Sequence, residues 1–232
     1  MAVLDARVSV ASDLKIVGVV PASGASRRMG RPKAAMELAG RTFVQRAVDA
    51  LRAGACHDVI VVIRRGDAAV EDAARATGAQ VLVNDDPGEG PIASMRLAIK
   101  KLTDDVDAIA WLPVDFPLVD GEIVRQLRDR VTVESPPLAL PVHEYFVEGV
   151  RHEKRGHPAI FTRTLFAELM DPALEGGART VVHRHLSQAS VELVRDPRVV
   201  VDIDTPEIFA AVEAGTPPYT DRPMTSVSEQ PT

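Results

Sequence analysis

The stretch KIVGVVPASGASRRMGRPK, residues 15–33, decides how the rest of this chain is read. Its opening KIVGVVPA (15–22) is an apolar run rich in β-branched side chains, the pattern of a buried strand. Directly behind it Ala22, Ser23, Gly24, Ala25 and Ser26 are all small. They let the backbone approach a ligand closely and expose consecutive N–H donors, which suits a phosphate chain. Residues 24–33 add the cations Arg27, Arg28, Arg31 and Lys33 and no acid. Two common phosphate motifs do not account for this. Gly24 and Gly30 enclose one residue too many for a P-loop and are followed by Arg-Pro, and no GxGxxG opens a helix.

Working outward, strand-like and helix-like segments alternate. TFVQRAVDALRAG (42–54) places Phe43, Val44, Ala47, Val48 and Leu51 on one helical stripe, and Gly54 marks its end. DVIVVI (58–63), QVLVN (80–84) and DAIAWLPV (107–114) read as strands; DAAVEDAARATG (67–78) and SMRLAIKKL (94–102) read as helices. This order, with continuously apolar strands, predicts a parallel sheet covered on both faces. Such sheets bind ligands at the carboxyl ends of the strands, where strand order reverses. The second half is less regular. Residues 135–161 contain Pro136, Pro137, Pro141 and Pro158 and the polar stretch HEYFVEGVRHEKRG, which reads as an insertion or lid. Helices are expected at 162–170, near 178–187 and at 205–214, with strands at 190–194 and 198–203. Residues 1–14 read as an extension to a single domain over 15–215. The tail 216–232, with four prolines and few apolar residues, reads as disordered.

Composition removes several function classes. Apolar residues are 46% and charged residues 26% of 232, an ordinary globular balance. The formal net charge of −6 argues against a broad nucleic-acid-binding face, and 4% aromatics argues against base-stacking platforms. A single cysteine, Cys56, excludes an internal disulfide framework and a CxxC zinc site, and reads as packing. No apolar run is long enough to cross a bilayer, and residues 1–15 lack the apolar core of a signal peptide, so the expected location is the cytoplasm with no membrane partner.

VVPASGASRRMGRPKAAMELAG (19–40) resembles the signature of the MobA/MocA-like nucleotidyltransferases, the family of the molybdenum cofactor guanylyl- and cytidylyltransferases. Ala22, Gly24, Ser26, Arg28, Met29, Gly30 and Lys33 stand where that pattern wants them. Pro21 replaces the usual Leu, and Ser23 replaces the Ala or Gly associated with base preference. The resemblance continues through VNDDPGEGPIASMRLAI, WLPVDFPLVDGEIV, RGHPAIF, LEGGART and VDIDTPEIF, in the family's order over roughly 15–214. It implies a three-layer α/β fold with a mostly parallel, doubly wound sheet, of the nucleotide-diphospho-sugar transferase (GT-A-like, Rossmann-type) kind. Residues 135–160 would then form a variable acceptor-side segment. The implied activity is transfer of an NMP, CMP before GMP, from CTP or GTP to a phosphorylated small molecule such as molybdopterin. A sugar- or alditol-phosphate acceptor is the alternative, and a catalytically silent nucleotide-binding accessory protein a more distant one. Transient contact with a molybdoenzyme or its chaperone is a further implied partnership.

Such a transfer joins two anions, so the site must neutralise them and hold them in line. Mg2+ held by one or two carboxylates and the substrate phosphates is the expected solution. Asp115 follows a strand directly, and Asp202 and Asp204 flank Ile203, where strand alternation would put both on one face. The resemblance makes Asp115 and Asp204 the metal pair, with Asp202 second; Asp204 or Thr205 before Pro206 also suits a helix N-cap. Arg28, Lys33 and Asp115 are the catalytic candidates. Ala22, Ser23, Gly24, Ala25, Ser26 and Arg27, with Gly90 and Ser94 by resemblance, are the nucleotide-binding ones. His157 is the acceptor-side candidate, a structural loop histidine being the other reading. Arg151, Lys154 and Arg155 read as exposed loop charges. His183 and His185 are two apart on a presumed helix and cannot share a ligand face.

Overall fold

The computed structural model describes residues 14–215 except 87 and 89. The expected extension (apart from Leu14) and the expected disordered tail lie outside the described residues.

The first strand, β1 (Ile16–Ala22), is followed by 3-10 turns at Arg27–Met29 and Lys33–Ala35. The short ribbon β2 (Glu37–Leu38) and β3 (Arg41–Thr42) leads into α1 (Phe43–Ala53). Then come β4 (Asp58–Arg64), α2 (Ala68–Ala76), β5 (Gln80–Asn84), α3 (Pro91–Ile99) and β6 (Ala108–Trp111). The second half comprises α4 (Gly121–Glu134), β7 (Leu138–Val147), β8 (Val150–Arg155), β9 (Ala159–Thr162), α5 (Phe166–Met170), α6 (Ala178–His185), β10 (Ser190–Val194) and α7 (Pro206–Glu213). Helix starts follow local chemistry. Thr42, Asp67 and Asp120 each accept a backbone N–H from the first turn of α1, α2 and α4.

The sheet order is β10-β7-β9-β6-β1-β4-β5, with β8 paired to β7. β1 lies parallel between β4 and β6, so the chain winds one way through β4 and β5, then returns across β1 to β6. That reversal makes the carboxyl ends of β1 and β6 the switch point at which a ligand crevice forms. Period-two alternation sorts the core into two layers. Ile16, Val20, Val61 and Ile63 pack under α1, α2, α4 and α7; Val17, Val19, Ile60 and Val62 pack against α3, α5 and α6. Gly18 belongs to the first face, where a Cβ would come within 2.9 Å of Leu51 on α1.

Four expectations need correction. The sheet is not uniformly parallel: β9 runs antiparallel between β6 and β7, because the chain returns through a hairpin rather than a helical crossover. The stretch 143–156 is not a loop. It forms β7 and β8, which pair antiparallel around a left-handed turn at Glu148 and Gly149, while the amino-terminal half of β7 is buried in the central sheet. Residues 198–203 are not a strand; Pro197–Val200 forms a 3-10 turn followed by extended chain. The third helix starts at Pro91, not Ser94, because Gly90 and a first-turn proline set the start.

Helix α4, not anticipated from the sequence, packs its first turn against the end of α1. A Cβ on Gly121 would lie 2.5 Å from Ala53 Cβ, 2.9 Å from its carbonyl carbon and 3.0 Å from the Gly54 nitrogen. Backbone cannot move aside cheaply. Gly121→Ala is therefore expected to destabilise the fold by about 1–3 kcal/mol, read as a lower urea midpoint; an unchanged midpoint would show that the two helices can part without loss.

Candidate active site

A cleft of about 590 Å³ opens at the switch point, lined by the 21–28 segment, Lys33, Arg64, Gly90, Trp111, Asp115 and His157 among others. The loop after β1 owes its shape to left-handed residues on either side of its 3-10 turn, Ser26 (φ 49°) and Gly30 (φ 65°). Met29 is buried and anchors the turn, which leaves Arg27 and Arg28 exposed toward the cleft. Ser26 Oγ accepts the Lys33 backbone N–H at 3.0 Å, which closes the loop and presents Lys33. Arg31, counted with the loop cations, does not reach the cleft lining; its guanidinium lies 5.2 Å from the Phe209 ring centroid on α7.

Asp115 is held by backbone. Phe116 N–H donates to the Pro113 carbonyl at 3.1 Å, tightening the turn after β6, and Arg46 Nε from α1 donates to the Pro117 carbonyl at 2.8 Å. The Asp115 carbonyl accepts Ile203 N–H at 2.8 Å, so this turn is tied to the segment that carries Asp204. Lys33 Nζ donates to Asp204 Oδ1 and lies 3.4 Å from Asp115 Oδ2; Arg28 donates to Asp204 Oδ2. Thr205, not Asp204, caps α7 by accepting Ile208 N–H at 3.4 Å, so Asp204 is left for the cleft cations.

The electrostatics follow this arrangement. Burial pushes the Asp115 carboxyl above its usual range; the Lys33 charge opposes the shift, and the charges of Asp204 and Asp202 add to it. For Asp204, burial also pushes upward, but the Lys33 hydrogen bond and the charges of Lys33 and Arg28 outweigh it and hold the carboxyl below its usual range. Asp115 Oδ1 is buried and has no hydrogen-bond partner among the described residues. Asp115, Asp202 and Asp204 do not converge into a three-ligand metal cage among the described residues. A divalent cation that keeps its waters and binds substrate phosphates needs only one or two protein carboxylates. Asp115, with an uncommitted oxygen, and Asp204 fit that requirement. Neither Asp204 nor Asp202 is itself part of the cleft lining; Asp204 meets the cleft through Lys33 and Arg28, and Asp202 stands beside Asp204.

The other expected residues fall into two groups. Ala22, Ser23, Gly24, Ala25, Ser26, Arg27 and Gly90 line the cleft; Ser94 is fully buried behind it. Ser94 Oγ lies 2.8 Å from Ser23 Oγ and accepts from Asn84 Nδ2 at 3.4 Å, while Asn84 Oδ1 accepts Asp86 N–H at 3.1 Å. Asn84 and Arg64 were missed, although each is the last residue of a strand and thus sits where ligands bind in such sheets.

His157 lines the cleft, its ring 4.5 Å from that of Phe116 and its Nδ1 buried without a partner among the described residues. Its backbone N–H donates to the Val199 carbonyl at 2.8 Å. Burial lowers its pKa to about 4, opposed in part by a backbone contact from Trp111, so the imidazole is neutral at pH 7. The unfolded chain therefore takes up this proton first, and stability falls as pH drops from about 6.5 toward 4. Expected is a loss of melting temperature over that window that is smaller in His157→Gln; equal losses would remove His157 as the cause. Away from the cleft, His185 pairs with Glu168 at 2.7 Å, and burial pushes the Cys56 thiol up to about 12, leaving it inert.

The chain as a whole is similar to known proteins. The nicotine blue oxidoreductase of Paenarthrobacter nicotinovorans is 28% identical over 195 residues, 83% of this chain and 93% of that protein. A probable molybdenum cofactor guanylyltransferase of Opitutus terrae is 33% identical over 114 residues, 49% of this chain and 54% of that protein. The crystal structure of Rv0371c from Mycobacterium tuberculosis H37Rv superposes with a TM-score of 0.72 at 26% identity, covering 88% of this chain and 99% of that one; the same protein has been solved in complex with manganese. The MobA-like NTP transferase domain matches residues 18–190, which run from within β1 to the first residue of β10 and include the cation loop, Asp115 and His157. With that match over most of its length, the chain belongs to the MobA-like NTP transferase family, on the nucleotide-diphospho-sugar transferase fold.

Proposed function

We propose that this protein transfers CMP or GMP from the corresponding NTP to a phosphorylated small molecule of the molybdopterin type, releasing pyrophosphate. An acceptor phosphate oxygen forms a bond to the α-phosphorus as the bond to the pyrophosphate oxygen breaks. The observation that carries this reading is the facing of Arg28 and Lys33 against Asp115 and Asp204 at the sheet's switch point, beside a loop of small residues. The loop amides and Arg27 hold the triphosphate; Arg28 and Lys33 neutralise charge on the leaving pyrophosphate, Arg as a fork and Lys as a point charge. Mg2+ or Mn2+ at Asp115 and Asp204 would supply the remaining neutralisation. His157, a neutral imidazole in the cleft lining, is the acceptor-side residue. The match to guanylyltransferases supports GTP, and the serine at position 23 keeps CTP beside it.

The similarity to an oxidoreductase over nearly that protein's whole length favours a second reading, in which the cleft carries out an oxidoreduction. One experiment separates the two. Pyrophosphate release from CTP or GTP with molybdopterin and divalent metal is expected for the first. Oxidation of NADH or NADPH by an aromatic acceptor, without pyrophosphate from either NTP, would overturn it in favour of the second.

A further inference from the structure

We infer that Arg64 is a base-selecting residue, reading two adjacent acceptor atoms on the nucleobase, so that the cleft takes cytosine and guanine nucleotides and rejects adenine and uracil. This rests on the nucleotide reading above and adds to it the residue that chooses among nucleotides.

The placement comes from strand register. Ala22 of β1 pairs with Ile63 of β4, and Arg64 pairs with Asn84 of β5. Ser23, Arg64 and Asn84 therefore stand in a row across the carboxyl ends of three adjacent strands. Alternation turns all three toward the face covered by α3, since Ala22 and Ile63 pack in the opposite layer. Ser23 and Asn84 are committed to Ser94 on that face. Arg64 is exposed, lines the cleft, and its guanidinium has no hydrogen bond or ion pair among the described residues. The carboxylates and Lys33 sit on the β6 side of β1, so the triphosphate belongs there; β4 lies on the other side. A nucleotide that places its phosphates at Lys33 and Asp115 thus carries its base toward Arg64.

The chemistry then selects. Arginine offers two parallel N–H donors in a fixed fork and accepts nothing. Guanine presents O6 beside N7, and cytosine presents O2 beside N3, each an adjacent acceptor pair. Adenine sets its amino donor beside both N1 and N7, and uracil puts an N–H between its carbonyls. A bidentate pair of this kind discriminates by about 10- to 100-fold.

The test is titration calorimetry of CTP, GTP, UTP and ATP, with magnesium at one ionic strength, on the wild type, Arg64→Leu and Arg64→Lys. The wild type is expected to bind CTP and GTP at least tenfold more tightly than UTP and ATP. Both variants are expected to bring the four within about threefold, Arg64→Lys by keeping the charge and losing the fork. Equal binding of the four by the wild type, or a preference that survives in Arg64→Leu, overturns the role of Arg64 and leaves the nucleotide reading standing. Binding of none of the four overturns both.

Discussion

Lys33→Ala is expected to lower pyrophosphate release by about a hundredfold, and by no less than tenfold. Among the described residues its ammonium alone touches both carboxylates, and its side chain is only 13% exposed, as is that of Asp204. Removing it leaves two carboxylates facing each other in a half-closed cleft, so a structural cost accompanies the catalytic one. Breaking a buried ion pair from one side costs about 3–5 kcal/mol; with Arg28 still on Asp204, the lower end applies. Arg28→Ala differs in kind: that side chain is 70% exposed, so its stability effect stays within about 1 kcal/mol while turnover still falls tenfold or more. Steady-state pyrophosphate assays paired with thermal unfolding separate the two contributions. Turnover unchanged in both variants would sink the assignment of the cation loop.

Asp115→Asn is expected to cut turnover by a hundredfold or more while leaving the melting temperature at pH 7 unchanged or higher. The opposite signs have one cause. Burial and the neighbouring Asp204 and Asp202 raise the Asp115 pKa, so the folded state holds this proton more tightly than the unfolded state does. Its ionised form therefore opposes folding above the usual carboxylate range, and that cost grows as pH rises through the folded pKa. A neutral side chain of the same shape removes the cost along with the oxygen proposed to hold the metal. A melting temperature several degrees lower in Asp115→Asn would show that the carboxylate supports the fold and would weaken its assignment as ligand.

Much of the first half was legible because each strand–helix unit carries its own signal. IVGVVPA (16–22) and VIVVI (59–63) are apolar at every position and read as strands buried on both faces, and the Phe43–Leu51 stripe leaves a single way for α1 to lie on them. The second half was harder for a physical reason. Residues 143–155 are charged and partly exposed although β-paired, because β8 and the outer half of β7 pair with each other beyond the buried sheet. Apolar Val199, Val200 and Val201 are buried yet not in a strand, since burial under a turn produces the same run of valines as a β-ladder. Helix α4 begins against the Ala53–Gly54 backbone, a contact for which the sequence shows only a glycine.

The sequence by itself determined the fold class, the switch-point loop and the residue types able to hold a nucleotide, because periodicity, small residues and clustered charge are properties of neighbours in the chain. Tertiary structure alone decided how those residues meet. Lys33 and Asp204 lie 171 positions apart and are joined only because the Asp115 carbonyl ties down the extended segment after Val200. Thr205 rather than Asp204 became the helix cap, Ser94 went behind the cleft instead of into it, and register set Arg64 level with Ser23 and Asn84. Strand order and register are long-range choices, and no local pattern encodes which carboxylate will face which cation.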